Sequence, residues 1–281
     1  MYNNALLRAK WLCDGDTEAD YLFSTEYNSS TYNFSFSFDV DTRVLTIEVL
    51  DPEKGSGTIS RLTSMRLFSG LVQTLVIGEG ITDIRSGAFE NCIELTSVSL
   101  PEGLESIGQR AFLACTALES IEIPDSVTSI GDGAFHQCIH LKTVRLPAGL
   151  TALGEHTFAY CAELEDIVLP DSLTELGIEV FTGCTGLRSV NLPAGLTEIP
   201  GYCFYDCTSL TSVRYARTQS WREAHLSIAA GNNALLAADW TYQTPADCTA
   251  ILRLPDSLLE LRSNALTGTD AQIIIIPSGC Q

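Results

Sequence analysis

The amino-acid sequence predicts a β-rich solenoid of stacked 23-residue coils with an N-terminal β-hairpin cap. Three observations predict it. Cysteine recurs at Cys92, Cys115, Cys138, Cys161, Cys184 and Cys207, every gap being 23 residues. Phenylalanine keeps the same step from Phe89 to Phe204, and leucine keeps it from Leu95 to Leu210. Proline marks it again at Pro101, Pro124, Pro147, Pro170 and Pro193. A fixed period shared by four residue types is the signature of a stacked repeat, because one such coil cannot bury its own apolar side and must lean on its neighbours.

Residues 95–115 show how one coil is built. Leu95, Val98 and Leu100 read as a short strand with inward side chains. Pro101 ends it, since proline has no N–H to give a ladder. Glu102 and Gly103 turn the chain, Leu104 and Ile107 return to the core, and Gly108 turns it once more. Ala111, Phe112 and Cys115 close the coil with a small, a large and a small side chain. Strand spacing sets a rise of about 4.8 Å per coil. A weaker coil comes before the array: Leu75, Ile77, Ile81 and Ile84 align with Val98, Leu100, Leu104 and Ile107, while Ser69 stands in the cysteine slot. Degenerate end repeats are expected where a stack is capped.

Alternate strand side chains face away from the core. The expected outward pairs are Ser97 and Ser99, Ser120 and Glu122, Thr143 and Arg145, Asp166 and Val168, Ser189 and Asn191, and Ser212 and Arg214. The first member is nearly always short and polar, and the second changes from coil to coil. A flat ladder with a polar floor and varied side chains suits recognition, and solenoids bind on such extended faces. These twelve residues are the candidate partner-binding site.

The pattern Leu-x-x-Val-x-Leu-Pro-x-x-Leu-x-x-Ile-Gly-x-x-Ala-Phe-x-x-Cys resembles the BspA-type (Treponema pallidum-type) leucine-rich repeat. The resemblance is strong over residues 71–215 and weaker over 251–281. It implies a right-handed leucine-rich-repeat solenoid with β-strands on one side and short helical turns. It also implies a non-enzymatic, extracellular or cell-surface protein of a gut-type bacterium that acts in adhesion or protein binding. The implied partner is a protein, either host matrix or another bacterial surface protein, or else a glycan, met by a monomer. The alternative is a rigid spacer that presents other domains of a longer surface protein.

The remaining segments divide the chain. Residues 1–30 read as the end of a preceding Trp-containing insert plus an acidic loop. Residues 31–60 read as the hairpin cap and a Gly/Ser connection, 61–215 as the array, 216–250 as a Trp-containing insert, and 251–281 as the start of a second array. Phe34, Phe36 and Phe38 alternate with polar residues, as do Leu45, Ile47 and Val49, and the two runs meet at a turn around Asp39 to Thr42. The apolar face of that hairpin is expected to cover the first coil and protect a strand edge. Gly55, Ser56 and Gly57 read as a flexible connection. Beyond Val213 the period breaks around Trp221 and Trp240, then Leu252, Leu254, Pro255, Leu258, Leu261 and Leu266 resume it. Residues 3–11 match residues 232–240 at seven of nine positions. That match predicts a segment of a longer protein built of tandem modules.

Composition and motifs exclude much chemistry. Sixteen basic against thirty-five acidic residues leave a net charge of −19, which opposes nucleic acid and anionic membranes. The longest aliphatic run, residues 273–276, is far short of the ~20 residues that cross a bilayer. No signal peptide is visible at the N-terminus. Stacked cysteines would hold their β-carbons nearly one strand spacing apart, beyond the ~3.8 Å a disulfide needs. The cysteines are therefore expected as buried thiols acting as small hydrophobes. His136 and His140 lack the glutamate of a zincin and sit in slots that tolerate any residue, so both are expected to face outward. His156 and His225 have no acid or nucleophile at a diagnostic spacing. Asp14, Asp16, Glu18 and Asp20 lack the EF-hand order and are expected as a solvated loop rather than a calcium site. There is no phosphate loop and no nucleophile elbow. No catalytic residue, metal or cofactor is expected.

Overall fold

Each coil folds into two short strands joined by the proline turn, followed by a tightly turned return. The computed structural model describes residues 10–13, 34–39, 41–49, 57–59, 69–216, 225–243, 250–253 and 271–275. Side by side along the stack, the strands Thr74–Ile77, Ser97–Ser99, Ser120–Glu122, Thr143–Arg145, Asp166–Val168, Ser189–Leu192 and Ser212–Ala216 recur once per coil, bonded as three successive sheets. The parallel register joins Thr74 to Ser97, Ser120 to Thr143, Asp166 to Ser189, and Ser189 to Ser212. One sequence period is therefore one layer of the stack. A second row of shorter strands follows the turn and runs from Ile81–Ile84 through Ser106–Ile107, Ser129–Ile130, Ala152–Leu153 and Glu175–Leu176 to Glu198–Ile199, again bonded as three successive sheets. At each corner the proline carbonyl accepts an N–H from three residues on, as from Leu104 to Pro101 at 3.1 Å and from Leu173 to Pro170 at 3.0 Å. Proline thus ends the strand and anchors the turn.

The return segment alternates its backbone bonds. Ala111, Leu113 and Cys115 donate within the coil, to Gly108, Arg110 and Phe112. Arg110, Phe112 and Ala114 donate to the next coil, to Asp132, Ala134 and His136, at 2.8–2.9 Å. Two left-handed residues per coil make this possible. Arg110, His156, Glu179 and Tyr202 fill one such slot, and Asn91, Ala114, Gln137, Tyr160 and Asp206 fill the other, with φ from 55° to 64°. Each costs about 1–2 kcal/mol, offset by backbone groups that would otherwise be buried unpaired.

Two columns of the core, one aromatic and one of thiols, run beside its leucines and isoleucines. Phe89, Phe112, Phe135, Phe158, Phe181 and Phe204 are fully buried. Their ring centroids stack at 5.3, 5.4, 5.5, 5.9 and 5.2 Å, with planes within 22° of parallel. The cysteine column lies beside them, and its thiols do more than fill space. Cys115, Cys138, Cys161, Cys184 and Cys207 each donate S–H to the carbonyl of the phenylalanine one coil back, at 3.1–3.3 Å.

Gly108, Gly131, Gly154 and Gly177 open the turn and also allow close approach between coils. A β-carbon on Gly131 would lie 2.5 Å from the backbone nitrogen of Gln109 in the coil before. Gly131→Ala is expected to destabilise the chain by at least about 1–3 kcal/mol, as other overpacked sites do, measured by urea unfolding.

At the N-terminal end Val44–Val49 lies parallel beside Thr74–Ile77 and pairs antiparallel with Phe34–Asp39, which in turn pairs with Lys10–Cys13. Asp39 Oδ1 accepts the N–H groups of Asp41 and Thr42 at 2.9 and 3.1 Å and closes the turn. Phe38, Leu45 and Ile47 join the buried core.

The described residues beyond Ala216 continue the stack. His225–Ile228 extends the second ladder, with Ile228 opposite Ile199, and Asp239–Gln243 extends the first, with Asp239 opposite Ser212. The segment expected as an insert contains a longer coil of 27–29 residues, with a short helix at Asn233–Ala237. Ala250–Arg253 and Ala271–Ile275 continue the second ladder. Asn232 makes the longer coil fit. Elsewhere the phenylalanine N–H donates to a backbone carbonyl of the next coil, as from Phe181 to Cys203. The Phe204 N–H donates instead to Asn232 Oδ1 at 2.9 Å, while Asn232 Nδ2 donates to the carbonyls of Pro200 and Ala229 at 2.8 and 2.9 Å. Asn232 is wholly buried. Asn232→Ala is expected to cost about 1–3 kcal/mol in thermal or urea unfolding, because it strands buried polar groups.

The acidic loop at Asp14 to Asp20, Gly55, Ser56, Trp221, residues 254–270 and Pro277 lie outside the described residues.

Candidate partner-binding face

The strand ladder separates inward from outward side chains as alternation requires. Ile121, Ile167, Val190 and Val213 point into the core, 0–3% exposed. Ser97, Ser99, Ser120, Glu122, Thr143, Arg145, Asp166, Val168 and Arg214 are exposed, and Ser189, Asn191 and Ser212 are half-buried. Ladder register brings these into two parallel rows.

The floor row runs Ser97, Ser120, Thr143, Asp166, Ser189, Ser212. Within it Ser189 Oγ donates to Asp166 Oδ1 at 2.5 Å. The second row is less uniform in role than its sequence suggested. Arg145 turns back onto the preceding coil, donating to the Ile123 carbonyl at 3.1 Å and to Asp125 Oδ2 at 2.8 Å. Asp125 also accepts the Ala148 N–H at 2.9 Å. That backbone bond, with the Arg145 bond and charge, holds the Asp125 carboxyl below its ordinary value. Asn191 clamps the backbone of Leu169, accepting its N–H at 2.8 Å and donating to its carbonyl at 2.9 Å. Both residues pin one coil to another. The variable chemistry offered outward rests on Ser99, Glu122, Val168 and Arg214, with Val168 72% exposed.

A border of alternating charge flanks the rows. Lys142 lies 3.5 Å from Glu119 and 3.9 Å from Glu163, and Arg188 lies 3.4 Å from Glu165. Exposed pairs of this kind stabilise by only about 0–1 kcal/mol each, but they neutralise the rim.

His136, His140 and His156 each find a neighbour. His140 Nδ1 is 2.8 Å from Glu163 Oε1. His136 is half-buried rather than fully outward, packed 5.6 Å from the Tyr160 ring and 6.1 Å from the His156 ring. Its burial, then the nearby His156 and Arg110, lower its pKa. His156 Nε2 sits 3.3 Å from Glu179 Oε2, a partner that motif spacing missed and the 23-residue step would have found. Among the described residues no group of three or more His, Cys, Asp or Glu is placed to hold a metal. No helix among them is long and apolar enough to cross a membrane. Seven cysteines, the six of the column and Cys203, are free and buried.

The family model of the BspA type leucine rich repeat region matches residues 64–176 and 105–223, in six copies. The chain belongs to the BspA-type leucine-rich-repeat family. Among solved structures, the BspA-type chain is similar to the Treponema pallidum leucine rich repeat protein, at 27% identity and a TM-score of 0.51, over 70% of this chain and 84% of that one. It is also similar to a leucine rich cell surface protein from Faecalibacterium prausnitzii A2-165, at 20% identity and a TM-score of 0.39, over 92% and 95%. The pneumococcal vaccine antigen PcpA is a third, at 15% identity and a TM-score of 0.43, over 92% and 86%. No curated protein matches the chain. The tightest features of this BspA-type array, its phenylalanine and cysteine columns, lie within the matched residues.

Proposed function

We propose that this BspA-type chain is a non-enzymatic protein-binding or adhesion module of an extracellular or cell-surface protein, meeting its partner across the strand face. The carrying observation is the ladder itself: two exposed rows held in fixed register, with a short polar floor and varied side chains at Ser99, Glu122, Val168 and Arg214. A rigid face of this kind loses little entropy on binding. Residues 89–215 carry five basic and seventeen acidic side chains, so a basic or neutral partner is favoured. Host matrix proteins and surface proteins of neighbouring bacteria are the partner classes. A rigid spacer is the second reading, favoured by the unbroken core that runs from Phe38 to Ala238.

The immobilised chain, presented with host matrix proteins and with surface extracts of other bacteria, separates the two. Saturable capture of a defined protein, weakened by salt, is the expected outcome. Capture of nothing from either source leaves only the spacer.

A further inference from the structure

A second surface lies on the turn side of the stack, away from the strands, and it presents aromatic rings. We propose that Tyr160 and Tyr202 form a binding site for a neutral oligosaccharide.

Both tyrosines hold left-handed backbone, with φ of 61° and 58°. The coil imposes this backbone at every repeat, and Gly133, Gly183, Gln137 and Glu179 hold it in other coils. Core packing does not account for a tyrosine in either slot, because Tyr160 and Tyr202 are 47% and 48% exposed. Each ring rests against a glycine of the next coil. A β-carbon on Gly183 would come within 2.6 Å of Tyr160 Cδ1, and one on Gly231 would overlap the Tyr202 ring in the same way. The bare glycine backbone supports each ring, the tilted His136 ring meets Tyr160 at 5.6 Å, and about half of each tyrosine is left to solvent.

The spacing between the two rings is fixed by the coil between them. The Tyr160 N–H donates to the Thr182 carbonyl at 2.6 Å, and the buried Thr182 hydroxyl donates to the Tyr202 carbonyl at 2.5 Å. Tyr160 and Tyr202 belong to coils two steps apart, about 10 Å along the stack. Tyr205, 53% exposed, packs edge-on to Tyr202 at 5.8 Å and widens the platform.

This arrangement suits a sugar chain. One face of a pyranose ring presents C–H groups, which pair with the negative face of an aromatic ring, and its edges present hydroxyls. Glu179 in the intervening coil and His156 in the coil of Tyr160, 3.3 Å apart, supply carboxylate and imidazole for those hydroxyls. A protein partner would favour a contiguous apolar centre, whereas the polar side chain of Glu179 lies in the coil between these rings. The acidic excess over residues 89–215 disfavours sulfated or sialylated chains. The site is separate from the strand face, so either assignment can fail alone.

The test is calorimetric titration of the 281-residue chain with maltohexaose, cellohexaose, xylohexaose and mannohexaose, and with a heparin hexasaccharide as the acidic probe. At least one neutral hexasaccharide is expected to bind with a Kd of about 1 mM or tighter, and heparin to bind more weakly. Tyr160→Ala and Tyr202→Ala should each weaken binding about tenfold, while Tyr160→Phe, which keeps the ring, and the distant control Ile93→Ser should not. The proposal is overturned if no neutral hexasaccharide binds, if heparin binds more tightly, or if folded alanine variants bind as well as the parent. Capture of a protein that Tyr160→Ala releases, with no saccharide bound, overturns it equally.

Discussion

Raising the pH from 9 to 11 is expected to unfold the chain over a narrow interval. Burial pushes the Cys138 and Cys207 thiols from an ordinary 9.0 up to about 12, and it raises Cys115, Cys161, Cys184 and Cys203 as well. In the unfolded chain these thiols ionise near 9; in the folded chain they stay protonated. The stability they contribute is therefore complete below pH 9 and drains as pH climbs toward 12, by about 1.4 kcal/mol per pH unit for each thiol. Six thiols together remove about 8 kcal/mol per unit, comparable with the whole stability of a domain, about 5–15 kcal/mol. Far-ultraviolet circular dichroism and thiolate absorbance should change together in one transition. Replacing Cys138 and Cys161 by Ala should flatten the pH dependence by about a third, which separates the thiols from lysine and tyrosine titration. Retention of the fold at pH 11.5, or an unchanged slope in that double variant, would contradict this account of the column.

Phe135→Ala is expected to cost about 3–5 kcal/mol in denaturant unfolding, the range for buried aromatic deletions. The ring is wholly buried between Phe112 at 5.4 Å and Phe158 at 5.5 Å, so its removal opens a gap against both neighbours. Each coil touches only the coils beside it, and a fault in the middle weakens coupling between the two halves of the stack. The unfolding transition should broaden as well as shift. His136→Ala, one residue on, should cost no more than about 1 kcal/mol, because that half-buried ring packs against Tyr160 and His156 at the surface rather than in the core. Equal costs for the two variants would mean that the coil register is wrong.

The period was legible because its slots are buried ones. Phe, Cys, Leu and Pro sit where volume or a missing N–H decides, and the next coil imposes the same demand 23 residues later. The outward rows were legible as positions, since strand alternation alone places them. Their roles were not. Whether Arg145 reaches into solvent or back to Ile123 and Asp125 depends on side-chain direction, and so does the grip of Asn191 on Leu169. Neither leaves a periodic trace. The coil after Ala216 was hidden for another reason. Its strands still pair, but the steps of 27 and 29 break the ruler, and a buried asparagine amide replaces the backbone carbonyl that spacing would have supplied.

The most direct test of the proposed function exchanges the outward chemistry while sparing the coil clamps. In a triple variant Glu122→Lys, Val168→Asp and Arg214→Glu, three exposed positions of the second row change while Ser99, Arg145 and Asn191 stay in place. Thermal unfolding should match the parent within about 1 kcal/mol, as for exposed positions. Binding to the captured partner, measured by surface plasmon resonance, should fall by at least about tenfold. Unchanged binding in a fully folded triple variant would contradict the assignment of the strand face.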